Sequence, residues 1–358
     1  MNAGVTRPLL AFLFSGWFLV GTVAQAASAP AARKRCAFDI GSGETKVSAA
    51  EVILAEPTPR IAKLLAKRIL IPFARNLKDG AIPQWLVKDT VKNILVLRRE
   101  CEALGAREFS GVATSGFRMA NNGPRVLAQI SHETKISLQV ISGAQEAALG
   151  FLAAASALQS DGKDLVVWDI GGGSMQFSMR AEGAGAAHQK IVVSAAHHGV
   201  ELFRREIAKQ FKRGLGQVVN PLSQEEINRA IELARQSSQE VKAEIREQLR
   251  RGHMRIVGLG GVHTESLANQ AGLEGKPPYK LYTLAGVRAA AKRAANMSDE
   301  DFHKAYPQNK YPDSQATNVA LVLGYMEGLE ISAVVPLEVN VADGLLVDAA
   351  FWPQGKLQ

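Results

Sequence analysis

The feature of this sequence that most restricts its fold is a short glycine motif that occurs twice. Residues 38–43 read FDIGSG, and residues 168–173 read WDIGGG, 130 residues further along the chain. Each copy follows an apolar run and precedes alternating residues, which predicts a β-hairpin whose turn carries the glycines. Glycine suits such a turn because it leaves room for a close ligand and can adopt positive φ. The repetition therefore predicts two similar halves.

Strand-like and helix-like patterns alternate between the two motifs. Helical spacing of apolar residues covers 86–104 and 144–157, and strand-like runs cover 108–114 and 137–141. Further helices are predicted at 124–130 and 314–330, and further strands at 191–195, 254–259 and 334–339. This alternation predicts an α/β fold.

A capping box predicts a further helix, and a polar segment predicts the linker between the two halves. Ser223 and Glu226 form the capping box, which predicts one long polar helix from 225 to about 249. The turn-forming segment 158–164 predicts the linker between the halves. We therefore expect one domain over residues 36–158 and a second over 164–350.

The composition is that of a folded protein, because 47% of the residues are hydrophobic and 21% are charged. Forty-two basic residues against 34 acidic ones give a net charge of +8, which mildly favours a polyanionic partner. The sequence has no basic run interleaved with aromatic residues, and no helix-turn-helix or zinc-finger spacing. Nucleic acid is therefore not expected as a partner.

The first 26 residues have the pattern of an export signal. Arg7 precedes an apolar run at 9–23, and residues 24–26 (AQA) match a signal-peptidase site, with 27–29 as an alternative. The run is shorter than the roughly 20 residues that a membrane-spanning helix needs. We expect a signal peptide over 1–26 and an exported, periplasmic protein without a stable membrane span.

Two cysteines, Cys36 and Cys101, remain after this cleavage. Cys36 begins the first predicted strand, and Cys101 lies on the apolar face of a helix that feeds a later strand. In a parallel sheet the two would lie near the same edge, and an oxidising compartment would permit a disulfide. Two buried free thiols are an equal alternative.

Five short motifs occur in order along the chain. They read DIGS at 39–42, ATSGFR at 113–118, ISGAQEA at 141–147, DIGGGS at 169–174 and GLGG at 258–261. In this order they resemble the Ppx/GppA family of exopolyphosphatases and guanosine pentaphosphate phosphohydrolases, within the actin-like ATPase superfamily. The similarity continues to about residue 350.

The resemblance implies an α/β fold of two actin-like, or ribonuclease H-like, domains. Each domain is expected to be a mixed sheet flanked by helices, with a cleft between the domains. We expect the short two-domain form, without the C-terminal helical domain of longer members. The oligomeric state is left open, with a homodimer as one option.

Two facing glycine turns would direct several backbone N–H groups into one cleft, which is an arrangement that binds anions. Ser42 and Ser174 would add hydroxyl donors. One such turn alone is more often a plain hairpin, but two copies together with Arg118 favour a phosphate site. The candidate phosphate-binding residues are Gly41, Ser42, Gly43, Lys46, Gly171, Gly172, Gly173, Ser174, Gly260 and Gly261.

Glu146 and Arg118 are the candidate catalytic residues. Hydrolysis of a phosphoanhydride needs a group that takes a proton from water, and the resemblance implies that Glu146 is this base. Arg118 can bind a phosphate through two nitrogens. The alternatives are an exposed helix glutamate stabilised by the helix dipole and an arginine in a surface ion pair.

Asp39 and Asp169, one from each repeat, are the candidate ligands of a divalent cation, since hard cations prefer carboxylate oxygens. Mg²⁺ is the first choice, with Mn²⁺ and Ca²⁺ as alternatives. Each aspartate could instead cap its own glycine turn.

Four positions depart from the family pattern. Gln145 and Gln176 stand where the family usually has acidic residues, and Gly43 and Glu44 replace the usual Asn and Ser. The loss of two charges is expected to weaken metal binding or water activation. Glu44 would either compensate for the missing charge or repel phosphate, and the sequence does not decide between the two.

Three histidines have less support as ligands. His197 and His198 are adjacent in a predicted strand, so their side chains would point to opposite faces. His263 follows the last glycine pair and is expected to line the cleft.

Together these features predict an exported exopolyphosphatase-like hydrolase that releases terminal phosphate from polyphosphate or a related phosphoanhydride. A polyphosphate- or nucleotide-binding protein with weakened catalysis is the alternative, because of Gln145 and Gln176. A kinase of the same superfamily is disfavoured, since ATP is scarce outside the cytosol.

Overall fold

The computed structural model describes Met1 and residues 32–54, 59–73, 75–181, 191–196, 198–213, 219–276 and 280–352. The predicted signal-peptide cleavage sites and His197 lie outside these residues. Within the described part of the chain, no helix combines the length and the apolar character that a membrane crossing requires.

Two mixed sheets form the framework. The first has the strand order β3-β2-β1-β4-β5, and the second has the order β10-β11-β9-β6-β7-β8. The strands of the first sheet are β1 (Arg33–Ile40), β2 (Glu44–Ile53), β3 (Arg60–Leu70), β4 (Glu108–Ala113) and β5 (Ser137–Val140). Those of the second are β6 (Leu165–Ile170), β7 (Met175–Arg180), β8 (Ile191–Ala196), β9 (Arg255–Leu259), β10 (Tyr282–Thr283) and β11 (Ala333–Pro336).

The sheets repeat one pattern, because each begins with a three-stranded antiparallel unit. β1, β2 and β3 pair antiparallel in the first sheet, as β6, β7 and β8 do in the second. A parallel strand then joins the other side of β1 and of β6, namely β4 and β9. The predicted α/β fold of two similar actin-like halves, each a mixed sheet flanked by helices, is confirmed.

Twelve α-helices flank the sheets in the described residues. They are α1 (Gln84–Ala103), α2 (Ser115–Met119), α3 (Gly123–Thr134), α4 (Gly143–Ala157), α5 (Val200–Gln210), α6 (Gln224–Ser237), α7 (Ala243–Arg250), α8 (Ala268–Ala271), α9 (Leu284–Ala294), α10 (Asp299–Ala305), α11 (Gln315–Gly328) and α12 (Val341–Val347).

Two of these helices, α4 and α12, lie between the sheets. Leu149 of α4 packs with α12 and the first sheet, whereas Phe151 and Ala154 pack against β6 and β9 of the second. The helix is therefore apolar on both sides, as a helix buried on both sides must be. The helix α12 belongs to the predicted span 164–350 but packs on the first sheet. The predicted domain boundaries, 36–158 and 164–350, stay a prediction.

One predicted element is wrong. The expected helix from 225 to about 249 is two helices, α6 and α7, separated by a 3₁₀ turn at Ser238–Glu240. Ser237 and Ser238 donate hydroxyl hydrogen bonds to the carbonyls of Leu233 (3.0 Å) and Arg235 (2.7 Å). Such bonds compete with the helical backbone, which explains why the helix ends there.

Cys36 and Cys101 form a disulfide. It joins β1 to the last turn of α1 inside the first core, where both residues are buried. Of the two alternatives that the sequence left open, the paired one is therefore correct.

Candidate active site

The two glycine turns line one cavity between the sheets. They are Gly41–Gly43, between β1 and β2, and Gly171–Gly173, between β6 and β7. In each turn the first glycine N–H donates to the carbonyl three residues later, Gly41 to Glu44 and Gly171 to Ser174, both at 2.9 Å. The cavity has a volume of about 320 Å³.

The two turns meet at a pair of serines. Ser42 Oγ lies 2.5 Å from Ser115 Oγ, and a Cβ at Gly173 would lie 3.0 Å from Ser115 Oγ and 3.4 Å from Ser42 Oγ. A Cβ at position 173 would therefore lie in close contact with both hydroxyl groups, and glycine lets the turns lie close together here. Gly43 and Gly172, by contrast, have no described atom within 4 Å of where a Cβ would stand. These two positions leave room for a ligand.

The turn glycines do not adopt the positive φ that the sequence suggested. Positive φ occurs instead in the GLGG motif at 258–261, where Gly260 has a φ of 89°. A Cβ at Gly260 would also overlap the carbonyl of Ile170. Glycine at position 260 permits the end of β9 to contact the turn after β6, which brings the GLGG motif into the cavity wall.

Most of the predicted phosphate-binding residues lie in that wall. The lining members are Gly41, Ser42, Gly43, Lys46, Gly171, Gly172, Ser174, Gly260 and Gly261. Gly173 stands at the contact between the turns instead. Sequence reasoning missed Ser115, which also lines the cavity, although it lies inside the quoted ATSGFR motif.

Glu146 lies in the first turn of α4 and lines the cavity. A capping box positions this turn: Gln145 N donates to Ser142 Oγ (3.2 Å), and Ser142 N donates to Gln145 Oε1 (3.0 Å). Glu146 is only 8% exposed, so the alternative of an exposed helix residue is wrong. Burial raises the pKa of Glu146 to about 7, although Arg118 opposes the increase.

Arg118 lies behind Glu146 and is not among the described residues that line the cavity. Its Nη1 is 2.9 Å from Glu146 Oε2 and donates to the carbonyl of Ile141 at 2.8 Å. Arg118 therefore orients the carboxylate and is anchored to the end of β5. Its direct binding of phosphate stays a prediction.

Asp39 and Asp169 both line the cavity. Asp39 Oδ2 is 3.8 Å from Lys46 Nζ, and the buried Oδ1 has no hydrogen-bond partner among the described residues. Burial raises the pKa of Asp39 to about 6; Lys46 opposes this increase and Asp169 adds to it. Burial also raises the pKa of Asp169. The Oδ1 atom of Asp39 therefore does not cap the glycine turn that follows it.

These two aspartates fit a cation that is shared with a substrate. In the described residues, no group of three His, Cys, Asp or Glu side chains lies close enough together to hold a metal alone. Mg²⁺ commonly binds through one or two carboxylates and completes its shell with substrate phosphates and water. The unpaired Asp39 Oδ1 is an oxygen of the kind that such an ion needs.

The two glutamines that depart from the family pattern have different surroundings. Gln145 belongs to the cap of α4, so its amide serves the helix rather than the cavity. Gln176 is buried and pairs with Asp169 across β6 and β7, as Lys46 pairs with Asp39 across β1 and β2. Across the hairpins the site thus has a cation opposite Asp39 and a neutral amide opposite Asp169, and the charge of Lys46 also acts on Asp169.

A set of ion pairs, which we call the mouth cluster, crosses the solvent side of the cavity. Its members are Glu44, Arg68 and Arg75 from the first half and Glu201, Glu265 and Lys310 from the second. The Glu44 carboxylate pairs with Lys310 and Arg68, and its negative charge also contributes to the raised pKa of Asp39. Sequence reasoning missed the other five residues, since each lies outside the motifs.

The histidines have structural surroundings. His263 is fully buried and its Nδ1 lies 2.6 Å from Tyr282 Oη, so the expectation that it lines the cleft is wrong. Burial lowers the pKa of His263 to about 3, which keeps the ring neutral. His198 Nε2 lies 2.7 Å from Glu206 Oε2.

The sequence model of the Ppx/GppA phosphatase family matches residues 74–351. The chain belongs to this family. Its resemblance to the family, predicted from the five motifs, is therefore confirmed.

Two curated proteins are similar to this Ppx/GppA family member over part of their length. Exopolyphosphatase 1 of Mycobacterium leprae is 38% identical over 142 residues, which is 39% of this chain and 41% of that protein. The bifunctional 3-dehydroquinate synthase/phosphatase of Fusobacterium nucleatum is 27% identical over 150 residues, which is 40% of this chain and 23% of that protein. The match thus spans less than half of either relative.

A solved structure supports the fold. The crystal structure of the Aquifex aeolicus member of the Ppx/GppA family superposes with a TM-score of 0.68 at 18% identity, and the match covers 88% of this chain and 97% of that one. At this identity the likeness establishes the shared two-sheet fold.

Proposed function

We propose that this protein is an exported exopolyphosphatase-like hydrolase, which releases terminal phosphate from polyphosphate or a related phosphoanhydride. The observation that carries the proposal is that both glycine turns, Asp39, Asp169 and Glu146 line one cavity. Backbone N–H groups of the turns would bind the phosphate oxygens. A buried carboxylate stands beside them to accept a proton.

The proposed reaction is a single displacement by water. The water oxygen attacks the terminal phosphorus, the bond from that phosphorus to the bridging oxygen breaks, and the shortened chain leaves with the bridging oxygen. Glu146 accepts the proton of the attacking water. Arg118 holds the Glu146 carboxylate in place, and its positive charge favours the ionised form.

Asp39 and Asp169 are the residues that would hold a divalent cation, with Mg²⁺ as first choice and Mn²⁺ or Ca²⁺ as alternatives. When bound, such an ion supplies positive charge to the phosphoryl oxygens. Lys46, 3.8 Å from Asp39, adds a second positive charge on the same side of the cavity.

Three observations support the proposed substrate and location. One curated relative is named as an exopolyphosphatase, and the apolar run at 9–23 has the pattern of an export signal. The Cys36–Cys101 disulfide agrees with an oxidising compartment such as the periplasm. Guanosine pentaphosphate is a less suitable substrate, because it is a nucleotide of the cytosol.

A binding protein without turnover is the second candidate. Gln176 favours it, because a neutral amide stands beside Asp169 where the family pattern has an acidic residue. Under this alternative the cavity would bind polyphosphate or a nucleotide and would not release phosphate.

Metal-dependent phosphate release distinguishes the two candidates. The purified mature protein, incubated with polyphosphate and Mg²⁺ or Mn²⁺, is expected to release orthophosphate, and EDTA is expected to abolish the release because the substrate charge is then unshielded. Calorimetry with the same polyphosphate measures binding in parallel. Binding without release in any of the cations would support the second candidate instead.

The pH dependence follows from the buried carboxylate. Glu146 must be ionised to accept a proton, and burial raises its pKa to about 7; the rate is therefore expected to fall as the pH decreases through about 7. A cation near Asp39 and Asp169 would favour the ionised form and move this midpoint lower. Initial rates from about pH 5 to about pH 9 at saturating cation measure the midpoint. A rate that stays constant across this range would contradict the role of Glu146.

A further inference from the structure

The mouth cluster joins the two halves through pairs of opposite charge. Lys310 Nζ lies 3.3 Å from Glu44 Oε1, and Arg68 Nη1 lies 4.0 Å from Glu44 Oε2. Arg68 also pairs with Glu265, and Arg75 Nη2 lies 3.7 Å from Glu201 Oε2. The three cationic side chains are 42–46% exposed, whereas Asp39 at the cavity floor is 3% exposed. The cluster therefore stands where a chain would leave the cavity.

The carboxylates of the cluster are fixed beside the phosphate turns. The carbonyl of Glu44 accepts the hydrogen bond of Gly41 N, and Glu201 N donates to the carbonyl of Gly172, both at 2.9 Å. Glu265 lies in the π-helical turn Val262–Leu267, directly after the Gly260–Gly261 pair. The backbone of these three residues is therefore held beside the cavity.

Within the six residues of the cluster, three carboxylates balance three cations, in contrast to the net charge of +8 for the whole chain. Outside the cluster, Glu201 also pairs with Arg204 and Arg205, and Arg75 with Asp313. Each described cation of the cluster has at least one carboxylate partner. The cavity wall also contains the neutral amides Asn309, Gln315 and Asn318. Phosphates that follow the terminal one would meet paired cations, neutral amides and carboxylates, and like charges brought together are repelled.

We propose that Glu44 and Glu265 determine chain length: they neutralise Arg68 and Lys310 across the mouth, so the cavity selects short phosphoanhydrides over long polyphosphate. The proposal rests on the proposed function for the substrate class. It also answers what the sequence left open, since Glu44 acts against the phosphates of a long chain rather than as a substitute for the charge missing at Gln176.

The test compares tripolyphosphate with long-chain polyphosphate in two measurements. The first is kcat/KM for each substrate in the wild-type protein and in the double variant Glu44→Gln/Glu265→Gln. The second is equilibrium binding of each substrate in a Glu146→Gln background, where hydrolysis is suppressed. We expect the wild-type protein to favour tripolyphosphate in both. The double variant should raise the long-to-short ratio by about tenfold or more, and salt should reduce this gain.

Glu100→Gln/Glu133→Gln is the matched control, because it also removes two carboxylates. Glu100 pairs at 2.6 Å with Lys67, which precedes Arg68 on the other face of β3, and Glu133 accepts from Gln129 at 2.8 Å on α3. We expect this variant to leave the ratio unchanged. An equal rise in the control would assign the effect to net charge and overturn the proposal.

The two measurements separate the proposals. No hydrolysis of either substrate by the wild-type protein would overturn the proposed function, and the binding ratio would still decide the role of Glu44 and Glu265. A ratio that is the same in the double variant, a wild-type preference for the long chain, or no binding of either substrate would overturn the proposal on chain length.

Discussion

Replacement of Glu146 by glutamine is expected to lower kcat by about 10²- to 10⁴-fold, the usual contribution of a general base. Glutamine keeps the shape of the side chain but cannot accept the proton of the attacking water. The first turn of α4 should keep its position, because its cap is formed by Ser142 and Gln145. Orthophosphate release measured at saturating substrate and cation tests this expectation.

Two comparisons make the result specific. Glu133→Gln removes a carboxylate from the exposed face of α3, where it accepts from Gln129 at 2.8 Å, and should keep full activity. The remaining rate of Glu146→Gln should also lack the decrease toward low pH that the wild-type protein is expected to show. If the glutamine variant released phosphate as fast as the wild-type protein, another group would be the base.

Removal of the Cys36–Cys101 disulfide is expected to lower the free energy of unfolding by about 4 kcal/mol, the chain-entropy value for a loop of this length. The bond spans 65 residues, from β1 to the end of α1, so it restricts a long segment of the unfolded chain. Urea unfolding of the oxidised protein and of the double variant Cys36→Ala/Cys101→Ala measures the difference.

The same unfolding experiment with reductant is the control. Reduction should bring the wild-type protein close to the variant and leave only the packing contribution of the two buried sulfurs. Thiol titration of the unfolded, unreduced protein independently measures whether the two cysteines are paired. Two free thiols, or equal stability of the oxidised protein and the variant, would contradict the expectation.

The sequence predicted the elements that are defined by local patterns. The two hairpins follow from their glycine turns and flanking alternation, and the capping box at Ser223 and Glu226 correctly located the start of α6. The repeat also predicted that both turns belong to equivalent strands. These features need only nearby residues, so they are visible without knowledge of the packing.

β3 was missed because its pattern changes within the strand. The pairing of β2 with β3 shifts in register between Ala49 and Ala50. Ala50 pairs with Lys63, whereas Ala49 pairs with Leu65. The extra residue, Leu64, moves the side chains that follow to the other face of the sheet. Ile61 and Leu65 therefore pack into different cores, and no simple alternation remains.

The mouth cluster could not be predicted for a different reason. Lys310 and Glu44 are 266 residues apart and belong to different halves. Each is an ordinary charged residue in its own segment, and their relation arises only when the halves pack together. The role of Arg118 is similar, since its contacts with Glu146 and Ile141 depend on how α2 and α4 meet.

The position of α12 bears on how the chain reaches its native state. Asp343 accepts a hydrogen bond from Ser48 Oγ (2.7 Å) and lies 2.9 Å from Lys63 Nζ, and Arg35 Nη1 donates to the carbonyl of Leu346 at 2.7 Å. The helix that covers this face of the first sheet is therefore synthesised about three hundred residues after the strands on which it packs. A ribosome-bound fragment that ends before α12 exposes this apolar surface, so the first half completes its fold only after α12 has been translated.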